Sequence, residues 1–206
     1  MILLALFSSA FASDGMNYGL LVKPILSTHT FTTNDDVYWG AKYGGALGVK
    51  YAQDKRGLKL MGQTRAQYVQ TWAPKASGEE LRVGSFIGPW WRIVGLQVGA
   101  DWLQQEYVNP TVTMSKAQGV HPQISGMVDL RLIHLSASAG PIFYVSGDRQ
   151  SVNWTTTDKF GGIGDEFAYT IQTGIDLLLM NFGINYQNRH TAYGTEEIFG
   201  ISVSVF

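Results

Sequence analysis

Phe199-Gly200-Ile201-Ser202-Val203-Ser204-Val205-Phe206 closes the chain. Apolar and small polar residues alternate through it with a period of two, as in a strand whose two faces meet different media. No charge shields this segment, and its last residue is aromatic, an ending that soluble domains rarely leave exposed. Phe206 falls on the parity of Ser202 and Ser204 rather than of Val203 and Val205, so either a bulge intervenes near the end or the ending is atypical.

The same alternation recurs along the chain. It predicts strands over Asn17–Phe31, Trp39–Ala52, Leu58–Trp72, Leu81–Ile93, Leu96–Tyr107, Gln123–Leu132, Leu135–Gly147, Glu166–Leu177, Phe182–Arg189 and Ile198–Phe206. The third is the clearest: Leu58, Leu60, Gly62, Thr64, Ala66 and Tyr68 share one face, and Lys59, Gln63, Arg65 and Gln67 the other. Two-faced strands with Gln, Arg, Asp and Gly on the polar side suit a crowded polar interior better than a water-facing sheet. Pro24, Pro89 and Pro141 fall inside predicted strands. Proline cannot donate to a ladder, so bulges are expected at Gly88-Pro89 and Gly140-Pro141.

Composition narrows the class. Charged residues are 15% of the chain, against ~25% in typical soluble domains. No segment is apolar enough for a membrane helix, which needs ~20 residues. Moderate hydropathy spread over alternating segments is the signature of a transmembrane barrel. There is no cysteine, which excludes disulfides and thiolate metal sites. The net charge of −1 argues against a nucleic-acid partner. Length sets one domain.

Connections alternate in length. Gln53–Gly57, Val94-Gly95, Ile133-His134 and Leu178–Asn181 are tight; Thr32–Tyr38, Ala73–Glu80, Val108–Pro122, Asp148–Asp165 and His190–Glu197 are longer. About ten strands, an even number, would put both termini on the short-turn side; eight and twelve are the alternatives. The aromatics Trp39, Trp72, Trp102, Tyr107 and Tyr169 fall near the long-loop ends, and Trp91 and Phe206 near the short-turn ends. Amphipathic rings prefer the two membrane interfaces. At the other terminus, Ile2-Leu3-Leu4-Ala5-Leu6-Phe7 followed by Ala10-Phe11-Ala12 reads as a signal peptide over 1–13, leaving 14–206 as the mature domain. No Lys or Arg precedes that core; a start upstream of Met1 would supply one.

Together these features resemble the small bacterial outer-membrane β-barrels, a class that includes the OmpA membrane domain, OmpX and OmpW. The resemblance covers the mature chain in topology and termini and rests on no diagnostic motif. It implies a closed antiparallel transmembrane barrel of about ten strands, with short periplasmic turns and longer extracellular loops. It also implies export, insertion by the barrel-assembly machinery, a lipid and lipopolysaccharide environment, and a monomer. A secreted soluble β-barrel is the alternative fold.

Two groups of residues are candidates for function. Parity places Lys42, Lys59, Arg65, Arg82, Arg92 and Arg131 inside, with Asp101, Asp129 and Asp176 as partners. Such residues either bridge strands and plug the lumen or, through their basic excess, line a narrow pore favouring anions. The acid pairs Asp35-Asp36, Glu79-Glu80, Asp165-Glu166 and Glu196-Glu197 fall in four of the long loops. They are ordinary solvated charges or a carboxylate rim facing lipopolysaccharide, where divalent cations would bridge to lipid phosphate.

A catalytic reading has less support. His29 and His190 lie near the outer rim with Asp35, Asp36 and Glu196 close by in sequence, and Ser27 is two residues from His29. Among barrel enzymes, omptin proteases carry an Asp-x-His pair and lipid A deacylases a His-x-Ser arrangement; neither is present, and no catalytic residue is assigned. His121 and His134 read as surface residues. Gly161-Gly162-Ile163-Gly164 is no phosphate loop, because no Lys-Ser/Thr follows. Asn153-Trp154-Thr155 fits a glycosylation sequon, within the longest loop. No cofactor or resident metal is implied.

Overall fold

A computed structural model describes residues 16–32, 37–53, 56–108, 112–130, 132–151, 158–159, 166–177, 180–191 and 194–205. The segment 1–13, Asp35, Asp36, Arg131, Asp165, Phe206 and the motifs at 153–155 and 161–164 lie outside them. Eleven strands follow in order: β1 Met16–Thr32, β2 Val37–Gln53, β3 Leu58–Ala73, β4 Ala76–Trp91, β5 Val94–Val108, β6 Val112–Asp129, β7 Ile133–Ser151, β8 Asp158–Lys159, β9 Glu166–Leu177, β10 Met180–Thr191 and β11 Gly194–Val205.

Apart from β8, strands consecutive in the chain pair antiparallel, with β7 pairing both β6 and β9, and β1 pairs with β11. Ten strands therefore form a closed antiparallel barrel, and β8 is a two-residue branch on the end of β7. Closure leaves no edge, so backbone groups are satisfied strand to strand. Met16 and Val205 lie at one end, called here the termini end, together with the connections 54–57, 92–93, 130–132 and 178–179. The far end carries 33–36, 74–75, 109–111, 192–193 and the long connection 152–165.

The two faces of the wall separate by parity. Leu20, Leu26, Leu47, Leu58, Leu96, Ile124, Leu135, Ile171, Ile184 and Ile201 point outward and are exposed, an apolar belt that makes sense only against lipid. Trp39, Trp72, Trp102 and Tyr169 are exposed on the far-end half of the belt, and Trp91 is exposed at the termini rim. Tyr107 instead faces the lumen and is buried. Strands β1 to β7 run 15 to 19 residues, against ~9–11 needed to cross a bilayer. Their far-end outward positions turn polar, as at Thr28, Gln70, Glu79, Gln104 and Glu106.

That extension explains where the segments expected as loops went. Ala73–Glu80 is a turn at Pro74-Lys75 with β4 starting at Ala76; Val108–Pro122 is mostly β6; and His190–Glu197 is β10 and β11 around 192–193. Beyond the apolar belt both faces of a strand are polar, so hydropathic alternation fades while the ladder continues. A positive φ at Lys116 (50°) and at Gly147 (124°) accompanies the register shift between β6 and β7. A Cβ at Gly147 would press on the Ala117 backbone, so glycine permits the two strands to coil there.

No bulge forms at the prolines. Pairing stays in register across Pro24, Pro89 and Pro141; each keeps its partner on one neighbouring strand, and ladder pairs are interrupted only on the other. Glycines tighten two of these sites: a Cβ at Gly88 would overlap the Leu96 carbonyl oxygen, and one at Gly140 the Pro122 carbonyl oxygen. The β10–β11 register likewise runs unshifted to Val205, so a terminal bulge is absent from the described part of the last strand.

Candidate functional site: a charged closure of the lumen

The far half of the lumen is packed with side chains from strands around the whole ring. Arg189 on β10 is its hub, only 1% exposed. Its Nε donates to Glu166 Oε2 at 2.8 Å and its Nη2 to Gln105 Oε1 at 2.7 Å. Nη1 lies 3.4 Å from Glu80 Oε2 and 3.5 Å from Glu196 Oε2. The guanidinium also donates to the Tyr144 hydroxyl, which in turn donates to Glu166 at 2.8 Å. Five donors in a planar fork make arginine the side chain suited to such a hub.

Two satellites complete the network. Arg82 grips Glu80 from the same strand with Nε at 2.6 Å and Nη2 at 3.1 Å, a bidentate pair. Lys42 Nζ and His29 Nε2 both reach Glu196 Oε1, at 2.6 and 2.9 Å, and the His29 ring meets Tyr107 edge-on at 5.9 Å. On the other side His121 Nε2 donates to the Gly140 carbonyl at 3.2 Å, leaving Nδ1 to accept from Arg82 at 3.4 Å. Asp101 accepts from Gln123 at 2.8 Å and from Arg65 at 3.3 Å. Apolar residues pack around the charges: Leu103, Ile142, Ala117 and Ala168 are 0–1% exposed. Among the described residues Arg189, Leu103, Ile142, His29, Glu166 and Asp101 of this layer are each at or below 2% exposure.

The candidate residues are placed as follows. Lys42, Arg82 and Asp101 are buried in the lumen, and Arg65, Lys59 and Asp129 face it less deeply. Arg92 does not: it sits in the 92–93 turn at φ 53°, exposed, with its guanidinium 4.9 Å from the Trp91 ring centroid. A two-residue hairpin needs positive φ, and this requirement takes Arg92 out of the alternation. Asp176 has a described backbone, paired with Asn181, but its side chain is outside the described set.

Among the described residues the members of the acid pairs do not stand together on one rim. Glu80, Glu166 and Glu196 point into the lumen and are 9%, 2% and 4% exposed. Two adjacent residues in a strand must face opposite ways, so each intact pair contributes one inward and one outward carboxylate. The outward members, Glu79 and Glu197, accept from Tyr68 and Tyr186 hydroxyls, each at 2.7 Å. Gln70 and Asn188 donate to those same hydroxyls. Two hairpins thus carry the same outer-surface device. Among the described residues no group of three or more His, Asp or Glu is placed to hold a metal.

Sequence reading missed Arg189, Tyr144 and Gln105 as lumen residues. Extending the parity of β10 from outward Ile184 and Tyr186 puts Asn185, Gln187 and Arg189 inside, so the signal was there. His121 and His134, expected at the surface, are on inward positions of β6 and β7, while His190 is exposed beside Thr195.

The β-domain of the Bordetella autotransporter BrkA aligns with a TM-score of 0.56 at 9% identity, covering 91% of this chain and 98% of that domain. Neisserial surface protein A aligns at 0.35 and 8% identity, covering 93% and 99% respectively. Ail of Yersinia pestis aligns at 0.34 and 7%, covering 94% and 99%. No protein-family model and no curated protein sequence matches. At 9% identity the likeness to the autotransporter domain is one of fold: this chain has the closed, antiparallel architecture of an outer-membrane β-barrel.

Proposed function

We propose that this protein is an integral outer-membrane β-barrel with a closed lumen, serving as a structural or surface-interaction element rather than a solute pore. The observation that carries the reading is the combination of a lipid-suited outer belt with a far-end lumen filled by the Arg189 network. Polar interiors in barrels of about this size are filled by side chains, and the network couples strands around the ring by charge-assisted bonds. Lipid and lipopolysaccharide are the surroundings, the barrel-assembly machinery the partner during insertion, and the monomer the working unit. The far end, with the 152–165 connection, faces outward.

No catalytic role is assigned. His29 and Glu196 do meet at 2.9 Å, a pairing suited to general-base chemistry. Both are sealed, with side-chain exposures of 0% and 6%, and Glu196 is already spent on Lys42 and Arg189. The pair is better placed to tie β1 to β11 at the seam of the barrel. Planar-bilayer recording tests the proposal: the purified barrel gives no conductance steps. Steps that change on substitution of Arg65 or Arg82 would establish a pore instead.

A further inference from the structure

We propose that the lumen on the termini side of the closure is a binding site for a small organic anion; this rests on the closed-lumen reading above. A cavity of about 250 Å³ lies there, continuous with a second of about 170 Å³ through Lys23, Arg65, Gln97, Met127 and Gln172. Three cations on three consecutive strands line the larger space: Lys23 of β1, Lys50 of β2 and Arg65 of β3. Among the described residues lining it, Asp129 on the opposite wall is the one carboxylate.

Lys50 has an interaction partner of its own within the protein, and the charges of Lys23 and Arg65 are compensated only in part. Lys23 Nζ donates to the neutral amide oxygen of Gln172 at 3.2 Å. Arg65 gives Nη2 to Asp101 at 3.3 Å and lies 5.1 Å from the Phe86 ring centroid. Its Nε is buried without a hydrogen-bond partner among the described residues. A recessed cleft in which cations outnumber carboxylates focuses a positive field and concentrates anions, and an arginine beside two lysines suits a carboxylate or phosphate head.

The rest of the wall selects an organic body. Leu21, Met61, Trp90 and Met127 line the same cavity. Its volume is below the ~300–1,000 Å³ of ordinary ligand pockets, which limits the occupant to about one ring or a short chain. The larger cavity lies toward the termini end. Asp129 and His134 are the last inward pair before the 130–132 connection, and Trp90 is the last inward residue of β4. The Arg189 layer closes the opposite direction.

The test is calorimetric titration of the barrel, purified in a neutral detergent, with phenyl phosphate, inorganic phosphate and phenol. Phenyl phosphate is expected to bind saturably at one site, inorganic phosphate at least tenfold more weakly, and phenol not at all. A Lys23→Gln/Lys50→Gln variant loses at least tenfold in affinity, while Glu79→Gln, on the outer wall, binds as the parent does. A heat-shift gel verifies that each variant is folded, and Lys23→Gln alone carries the test if the double variant is not. No saturable binding, or equal binding by the lysine variants, would overturn the site. Conductance steps with phenyl phosphate binding intact would overturn the closed lumen and leave the site standing; silent bilayers without binding would do the reverse.

Discussion

Replacing Arg189 by alanine removes the hub of the closure, and the structure says where the cost falls. Glu80 keeps its bidentate Arg82 at 2.6 and 3.1 Å, and Glu196 keeps Lys42 at 2.6 Å and His29 at 2.9 Å. Among the described residues Glu166 keeps only the Tyr144 hydroxyl at 2.8 Å and becomes a buried carboxylate without a cation. Breaking a buried pair from one side costs ~3–5 kcal/mol, and the cavity left by the arginine adds to it. The expected loss for Arg189→Ala is therefore about 4 kcal/mol, roughly a thousandfold in the folding equilibrium.

The second half of the argument is the rescue. Taking both partners away leaves no orphan charge, and such double replacements are often near neutral. Arg189→Met/Glu166→Gln should recover about half of the loss or more. Urea unfolding of the barrel in lipid vesicles, followed by tryptophan emission and by gel mobility, measures both variants. An Arg189→Ala variant within about 1 kcal/mol of the parent, or a double variant no better than the single, would refute the account of the closure.

On the lipid face, Leu47→Arg puts a guanidinium on a side chain 62% exposed to hydrocarbon and should cost ~2–4 kcal/mol by the same unfolding assay. Gln67→Arg on the inward parity of the same β2–β3 pair should cost clearly less; equal costs would mean the faces are misassigned. Gly140→Val drives a side chain into the Pro122 carbonyl on β6, and backbone cannot yield as a flexible side chain would. It should lower stability by ~1–3 kcal/mol or more, whereas Gly126→Ala, with open space around its Cβ position, should be nearly silent in the same unfolding curves. Arg189→Ala combined with Tyr144→Ala removes two members of the plug, so conductance steps should appear in bilayers where the parent has none; continued silence would show that the apolar layer of Leu103 and Ile142 closes the lumen alone.

Much of this barrel was legible because lipid imposes the alternation directly. Leu58 to Tyr68 read as a two-faced strand, and the structure keeps that assignment residue by residue. Legibility failed where the outer face also becomes polar. Glu79-Glu80 and Glu196-Glu197 look like loop charges by composition, yet strand geometry sends one of each pair into the lumen and one out. The inward glutamates are tolerated there because Arg82, two residues from Glu80 on the same strand, and Arg189 and Lys42, from strands distant in sequence from Glu80 and Glu196 respectively, neutralise them.

Arg92 shows the opposite failure, since a turn with positive φ overrides the parity that would place it inside. The bulges expected at Gly88-Pro89 and Gly140-Pro141 are one remedy for a proline in a ladder, and the barrel uses another. A twisted barrel wall can instead omit a few ladder pairs on one side of the proline and keep its register. The convergence at Arg189 could not be foreseen in detail, because its partners lie 23, 84 and 109 residues away along the chain. Parity places a residue on a face; only closure of the ring decides which faces meet.

The central claim is that these ten strands close into a barrel seated in lipid. It is tested most directly by isolating outer membranes from expressing cells and running the protein on detergent gels with and without boiling. The account predicts recovery in the membrane fraction and a band that shifts on heating, as the closed barrel unfolds. Soluble material whose mobility is the same before and after boiling would contradict it.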